Sequence, residues 1–144
     1  MKVNSFRFLL IVVFLLSLTA CLPGKAVKGT EQEAVLNFAE PIADHILNGI
    51  EVKDYALFSQ DFSDTMKTGI DEASFTQLCD LLSSKVGSYQ SRKVSSVRDV
   101  NGTMLVIYTA VYSNAKQVVI NLSISPDEPH LVSGLYFNSP ELRK

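Results

Sequence analysis

Asparagine followed by glycine at positions 101 and 102, between two runs of alternating side chains, constrains this chain more than any other pair of residues. Both central positions of a type I′ turn need positive φ, so residues 88–100 and 103–112 are expected to be neighbouring strands of one hairpin. Val100 then faces Thr103, Val97 faces Val106 and Ser96 faces Ile107. Residues 117–124 and 131–138 continue the two-residue period, and a four-residue link through Ser113 to Lys116 places Tyr112 opposite Gln117 and Ile107 opposite Leu122. On that register the expected core face gathers Leu105, Ile107, Val111, Val118, Ile120, Leu122 and Ile124. The opposite face gathers Met104, Val106, Tyr108, Ala110, Tyr112 and Val119, with Val132 and Tyr136 from the last strand. It is too apolar for water alone, so it is expected to receive a partner protein or a second copy, unless the termini or a loop shield it.

Before residue 88 the period is helical. Val35, Phe38, Ile42, Ile46 and Gly49 share one face of a helix expected over 31–48. Thr30 to Glu33 has the form of a capping box, and Pro41 predicts a kink or a break. Residues 52–62 form a short second helix with Tyr55, Leu57, Phe58 and Phe62 available for burial. Asp71 can cap a third, in which Phe75, Leu78, Leu82 and Val86 line the inner side and Gly87 supplies the stop. Cys79 lies in that apolar stripe, where a free thiol acts as a small inert hydrophobe. The expected fold is α+β: three N-terminal helices packed on a four-stranded antiparallel sheet, in a single domain over 30–144.

The amino terminus carries Lys2 and Arg7 ahead of an eleven-residue apolar run, residues 8–18, whose only polar member is Ser17. A spanning helix needs roughly 18 or more such residues, so residues 1–20 are expected to be a signal peptide. Leu18-Thr19-Ala20-Cys21 resembles the bacterial lipoprotein box, which implies cleavage before Cys21 and a lipid on its sulfur. Leu18, three places before that cut, does not suit an ordinary signal peptidase. Residues 21–29, with Pro23, Gly24 and Gly29, are then a flexible tether. The implied location is the cell envelope, on the outer face of the cytoplasmic membrane or, where there are two membranes, on the outer one, towards which Leu22 leans by family analogy. Formal charge is −2, and removing Lys2 and Arg7 with the leader makes it −4, which argues against nucleic acid as a partner.

No C-x-x-C, H-E-x-x-H, G-x-S-x-G or phosphate-cradling glycine loop occurs, so neither a metal nor a cofactor is expected. His45 and His130 are the two histidines. Asp44 and His45 point about 100° apart on a helix and are no ready dyad. His130, in a polar turn, is expected to be exposed. Polar groups for a pocket come down to His45, Tyr55 and Thr109, with Asp61 on the helical side. Asn101 and Asn121 each begin an N-x-S/T sequon but are better explained as a turn and a strand residue.

Residues 43–50, Asp54-Tyr55, Phe58, Tyr108, 118–122 and 133–137 together resemble the domain of unknown function 3887. The order of elements over 31–138 is similar to the nuclear-transport-factor-2-like, or cystatin-like, superfamily. That resemblance implies helices set in the concave side of a curved, cone-shaped sheet. Some members of the superfamily are isomerases or dehydratases with an Asp, His or Tyr inside the cone. The expected function is a lipid-anchored, non-catalytic binding module for a protein, a second copy or a small apolar ligand. A small pocket enzyme of the isomerase or dehydratase type, and an accessory domain to a separate hydrolase, are the alternatives.

Overall fold

The computed structural model describes residues 24–144. The expected signal peptide, its Leu18, Thr19 and Ala20, the lipidation residue Cys21, and the tether residues Leu22 and Pro23 lie outside the described residues.

Asn101 and Gly102 adopt φ of 54° and 86°, and the Gly102 N–H donates to the Asp99 carboxylate at 2.7 Å, closing the hairpin. Its two strands, Tyr89–Val100 and Thr103–Tyr112, pair Val100 with Thr103, Val97 with Val106 and Ser96 with Ile107 as expected. A strand unforeseen in the sequence precedes them. Lys25–Val27 (β1) runs antiparallel to the hairpin's first strand (β2), with Val27 opposite Val97 and only 3% exposed. The tether expected over 21–29 is therefore corrected, because burial of Val27 draws part of it into the sheet. The second hairpin strand (β3) is followed by β4, Ala115–Ile124, and β5, Val132–Asn138, giving a five-stranded antiparallel meander in sequence order.

The β3–β4 register differs from expectation by one residue. Ser113 and Asn114 alone make the turn, pairing Tyr112 with Ala115, and an irregularity before Ala110↔Val118 then sets Val106 opposite Leu122 and Ile107 opposite Asn121. A slip of one residue exchanges the faces of a strand. Met104, Val106, Tyr108, Ala110 and Tyr112 thus join Val118, Ile120, Leu122 and Ile124 in the core, while Leu105, Ile107 and Val111 are half-buried on the outer side. The interaction face assembled from Met104, Val106, Tyr108, Tyr112, Val119 and Tyr136 is corrected accordingly. Its first four members are buried, Val132 is core as well, and Val119 and Tyr136 stay outside.

Among the described residues there are four helices rather than three. Helix α1, Gly29–Val52, starts one residue ahead of Thr30, with Lys28 at its N-cap and no side-chain cap, so the capping box does not form. It also continues through Pro41. A proline inside a helix costs about 3 kcal/mol, whereas each buried Val, Ile or Leu contributes about 1.5–3 kcal/mol. Val35, Ile42, Ile46, Leu47 and Ile50, buried on both sides of Pro41, outweigh it. Asp54 caps α2, Tyr55–Ser59, by accepting from the Leu57 N–H, and Ser63 caps α3, Asp64–Gly69, by accepting from the Met66 N–H. The single helix expected over 52–62 is thereby shortened, and α3 is added.

Helix α4, Glu72–Lys85, follows its sequence closely. Asp71 accepts from the Ser74 N–H at 2.8 Å, Phe75, Cys79 and Leu82 are buried, and Gly87, at φ 82°, donates to the Leu82 carbonyl to end it. Phe58 stands at the centre of an aromatic cluster, with ring centroids 4.6 Å from Phe75 and 4.8 Å from Phe62. A parallel bridge between Phe62 and Val132 ties the helical layer to the start of β5. Among the described residues, no helix is long and apolar enough to cross a membrane.

Candidate functional site

The space between α1 and the sheet is filled. Ala43, Ile46 and Leu47 meet Tyr108, Ile120 and Leu122, leaving about 10 Å³ of free volume. The hydroxyls of Tyr108 and Tyr112 are buried without a hydrogen-bond partner among the described residues. Burial raises the pKa of both phenols, with Glu40 adding to it for Tyr108 and Glu51 for Tyr112. The folded state therefore holds these protons more tightly than the unfolded chain does. The resulting stability is fully present below the ordinary phenol value and is lost as pH rises beyond about 10. Denaturant midpoints measured from pH 8 to 11.5 are expected to fall above pH 10, and less steeply in Tyr112→Phe. A midpoint flat across that range would contradict the assignment.

A second polar grouping straps α1 to β2. The Arg92 side chain, 9% exposed, donates to Asp44 at 2.7 Å and to the Glu40 carboxylate at 2.8 Å, and it lies 5.3 Å from the Tyr108 ring centroid. Burial alone would lower the pKa of its guanidinium. Hydrogen bonds to Asp44 and Tyr89, with the charge of Glu40, reverse that and hold the proton more firmly than usual. A cation fixed this way ties elements together and keeps its charge.

His45 and Asp61 meet, with Nδ1 2.7 Å from the Asp61 Oδ2, and the Gln60 side-chain amide lies 2.7 Å from the same nitrogen. Asp44 is turned away to Arg92, as the helical angle between Asp44 and His45 requires. The remaining candidates do not join this pair. The Tyr55 hydroxyl donates to the Ile70 carbonyl at 2.8 Å, and Thr109 lies on the outer sheet face, 2.7 Å from the Ser95 hydroxyl. The pocket of His45, Tyr55 and Thr109 is therefore corrected: the one-residue register slip carries Thr109 to the far side of the sheet. His130, expected to be exposed, is half-buried and stacks on Phe38 with centroids 3.9 Å apart. Among the described residues, no three His, Cys, Asp or Glu side chains gather closely enough to hold a metal ion.

A roomier concavity lies elsewhere. Between α4 and β5, beside the 3₁₀ turn Glu141–Arg143, runs a groove of about 380 Å³ with Ile70, Leu78, Leu81, Leu135 and Phe137 among its walls. Ser74, Asn138 and Arg143 are its polar members. That volume and mixture fit a small-molecule site, for which about 300–1,000 Å³ is usual. Leu81, at 43%, and Tyr136, at 60%, are two of the three large hydrophobic side chains that stand exposed among the described residues, and both line it. None of these groove residues except Tyr136 was singled out from the sequence as functional. The one signal in the sequence was Leu81, a leucine outside the buried stripe of α4.

Comparison of the chain with protein-family models, with curated proteins and with solved structures gives no match.

Proposed function

We propose that this chain is a lipid-anchored, non-catalytic binding module whose site is the groove between α4 and β5. The observation that carries the reading is the coincidence of this groove with the exposed side chains of Leu81 and Tyr136. Water-facing leucine and tyrosine bordering an apolar channel lower their free energy when a ligand covers them. A pocket enzyme needs titratable groups converging on a cavity. Here the space under the sheet is packed with aliphatic side chains and Tyr108, and neither His45 nor Asp61 lines the groove. The resemblance to the domain of unknown function 3887 and to the nuclear-transport-factor-2-like superfamily remains part of this proposal, as does attachment through Cys21.

Native mass spectrometry of the full chain released from membranes tests the reading. Wild type is expected to carry a non-covalent apolar adduct, and Ser74→Trp, which fills the groove from the exposed side of α4, is expected to lose it. An adduct retained by Ser74→Trp, or none on wild type, would count against the groove.

A further inference from the structure

We infer that the groove takes a single-chain amphiphile with an anionic head, a long-chain carboxylate whose hydrocarbon lies along Leu78, Leu81 and Leu135 and whose head meets Arg143. The inference rests on the proposed function above and adds the class of ligand. Arg143 is the only charged residue among those lining the groove. It is exposed, and no hydrogen bond or ion pair engages its guanidinium among the described residues. Its neighbour Glu141 does not neutralise it at close range. The Glu141 carboxyl is held below its usual range first by its own backbone N–H and next by the Ser139 hydroxyl, with Arg143 a lesser influence.

The turn that presents Arg143 is itself fixed. Ser139 is buried, and its hydroxyl accepts from the Leu142 N–H at 3.3 Å. A cation on a seated turn at the wall of an apolar channel complements a molecule that is greasy along its length and negative at one end. Size favours the same occupant. A channel of about 380 Å³ lies within the range of about 300–1,000 Å³ usual for small-molecule sites, and one alkyl chain suits it. Ser74 and Asn138 supply the remaining polar contacts for a head group.

The experiment uses the full chain in non-ionic detergent with two photoreactive probes: a diazirine-bearing palmitate and the alcohol of the same chain length. Labelled peptides are mapped by mass spectrometry. The carboxylate probe is expected to label α4 and β5, with unlabelled palmitate competing. Arg143→Gln is expected to lower that labelling by roughly three- to tenfold while leaving the alcohol unchanged. Arg143 is exposed, so loss of the fold does not enter, and Ser74→Trp should abolish labelling by both probes. Equal labelling by the two probes, or a carboxylate signal indifferent to Arg143→Gln, overturns the anionic head while the groove stands as a site. Absence of groove labelling by either probe overturns the groove itself.

Discussion

Incorporation of labelled fatty acid into this protein is expected to fall to background in Cys21→Ser, and the mature amino terminus at position 21 to disappear with it. The expectation follows from Leu18-Thr19-Ala20-Cys21 and from the shortness of the apolar run before it. Eleven residues extend about 16 Å as a helix, against a hydrocarbon core of about 30 Å, so the leader is too short to span. On the proposed reading acyl chains would supply the attachment, at about 0.8 kcal/mol per buried methylene, and two or three of them hold firmly where one holds only marginally. The effect on lipid content is all or none because no other residue can accept the thioether: Cys79, the second cysteine, is buried in α4. Wild-type protein beginning at Met1, or at Cys21 with a bare sulfur, would remove this attachment.

Gly49→Ala is expected to destabilise the fold by about 1–3 kcal/mol, a loss in melting temperature on the order of 10 °C. The direction runs against local propensity, since alanine in a helix interior is favoured over glycine by about 1 kcal/mol. Contact decides the sign. A Cβ at Gly49 would stand 2.6 Å from the Phe58 backbone nitrogen and 2.7 Å from its Cα, so α1 and α2 touch main chain to main chain there. Neither helix can yield cheaply. Phe58 is 1% exposed and held by the rings of Phe62 and Phe75, and the Asp54 N–H donates to the Gly49 carbonyl at 2.8 Å. Gly69 supplies the control. It closes α3 with nothing within 4 Å of where an added methyl would sit, and Gly69→Ala should leave the melting temperature unchanged or slightly raised. Thermal unfolding of the pair checks the argument, and equal melting temperatures for the two variants would refute it.

The parts of the fold legible from sequence were those where one local signal dominates. Asn101-Gly102 set the first hairpin because few other pairs accept positive φ twice, and Asp71 and Gly87 bounded α4 because capping and stopping are local acts. The face of β3 was not legible. Its even positions hold Met104, Val106, Tyr108 and Tyr112, its odd positions Leu105, Ile107 and Val111, and either set could line a core. Register then rested on the link to β4, where a two-residue turn followed by an irregularity replaced the expected four-residue loop. From that one slip came both the misplaced interaction face and the misplaced Thr109. The groove was hidden for a different reason. Leu81 lies far along the chain from Leu135 and Arg143, and only the packing of α4 beside β5 brings them together.

The short first strand also limits where the protein can stand. The Gly24 carbonyl is held by the Arg98 guanidinium and Lys25 is paired with Asp99, so with attachment at Cys21 only Leu22 and Pro23 remain as slack. Three residue steps reach about 10 Å, so a lipid on Cys21, as proposed, would moor the β1 corner close to the headgroups instead of letting the whole body drift on a long leash. Four inter-strand spacings of about 4.8 Å separate that corner from β5, so the far margin of the sheet can extend as much as about 19 Å outward. On the proposed attachment, a cargo taken up there would be met from the aqueous side, away from the bilayer.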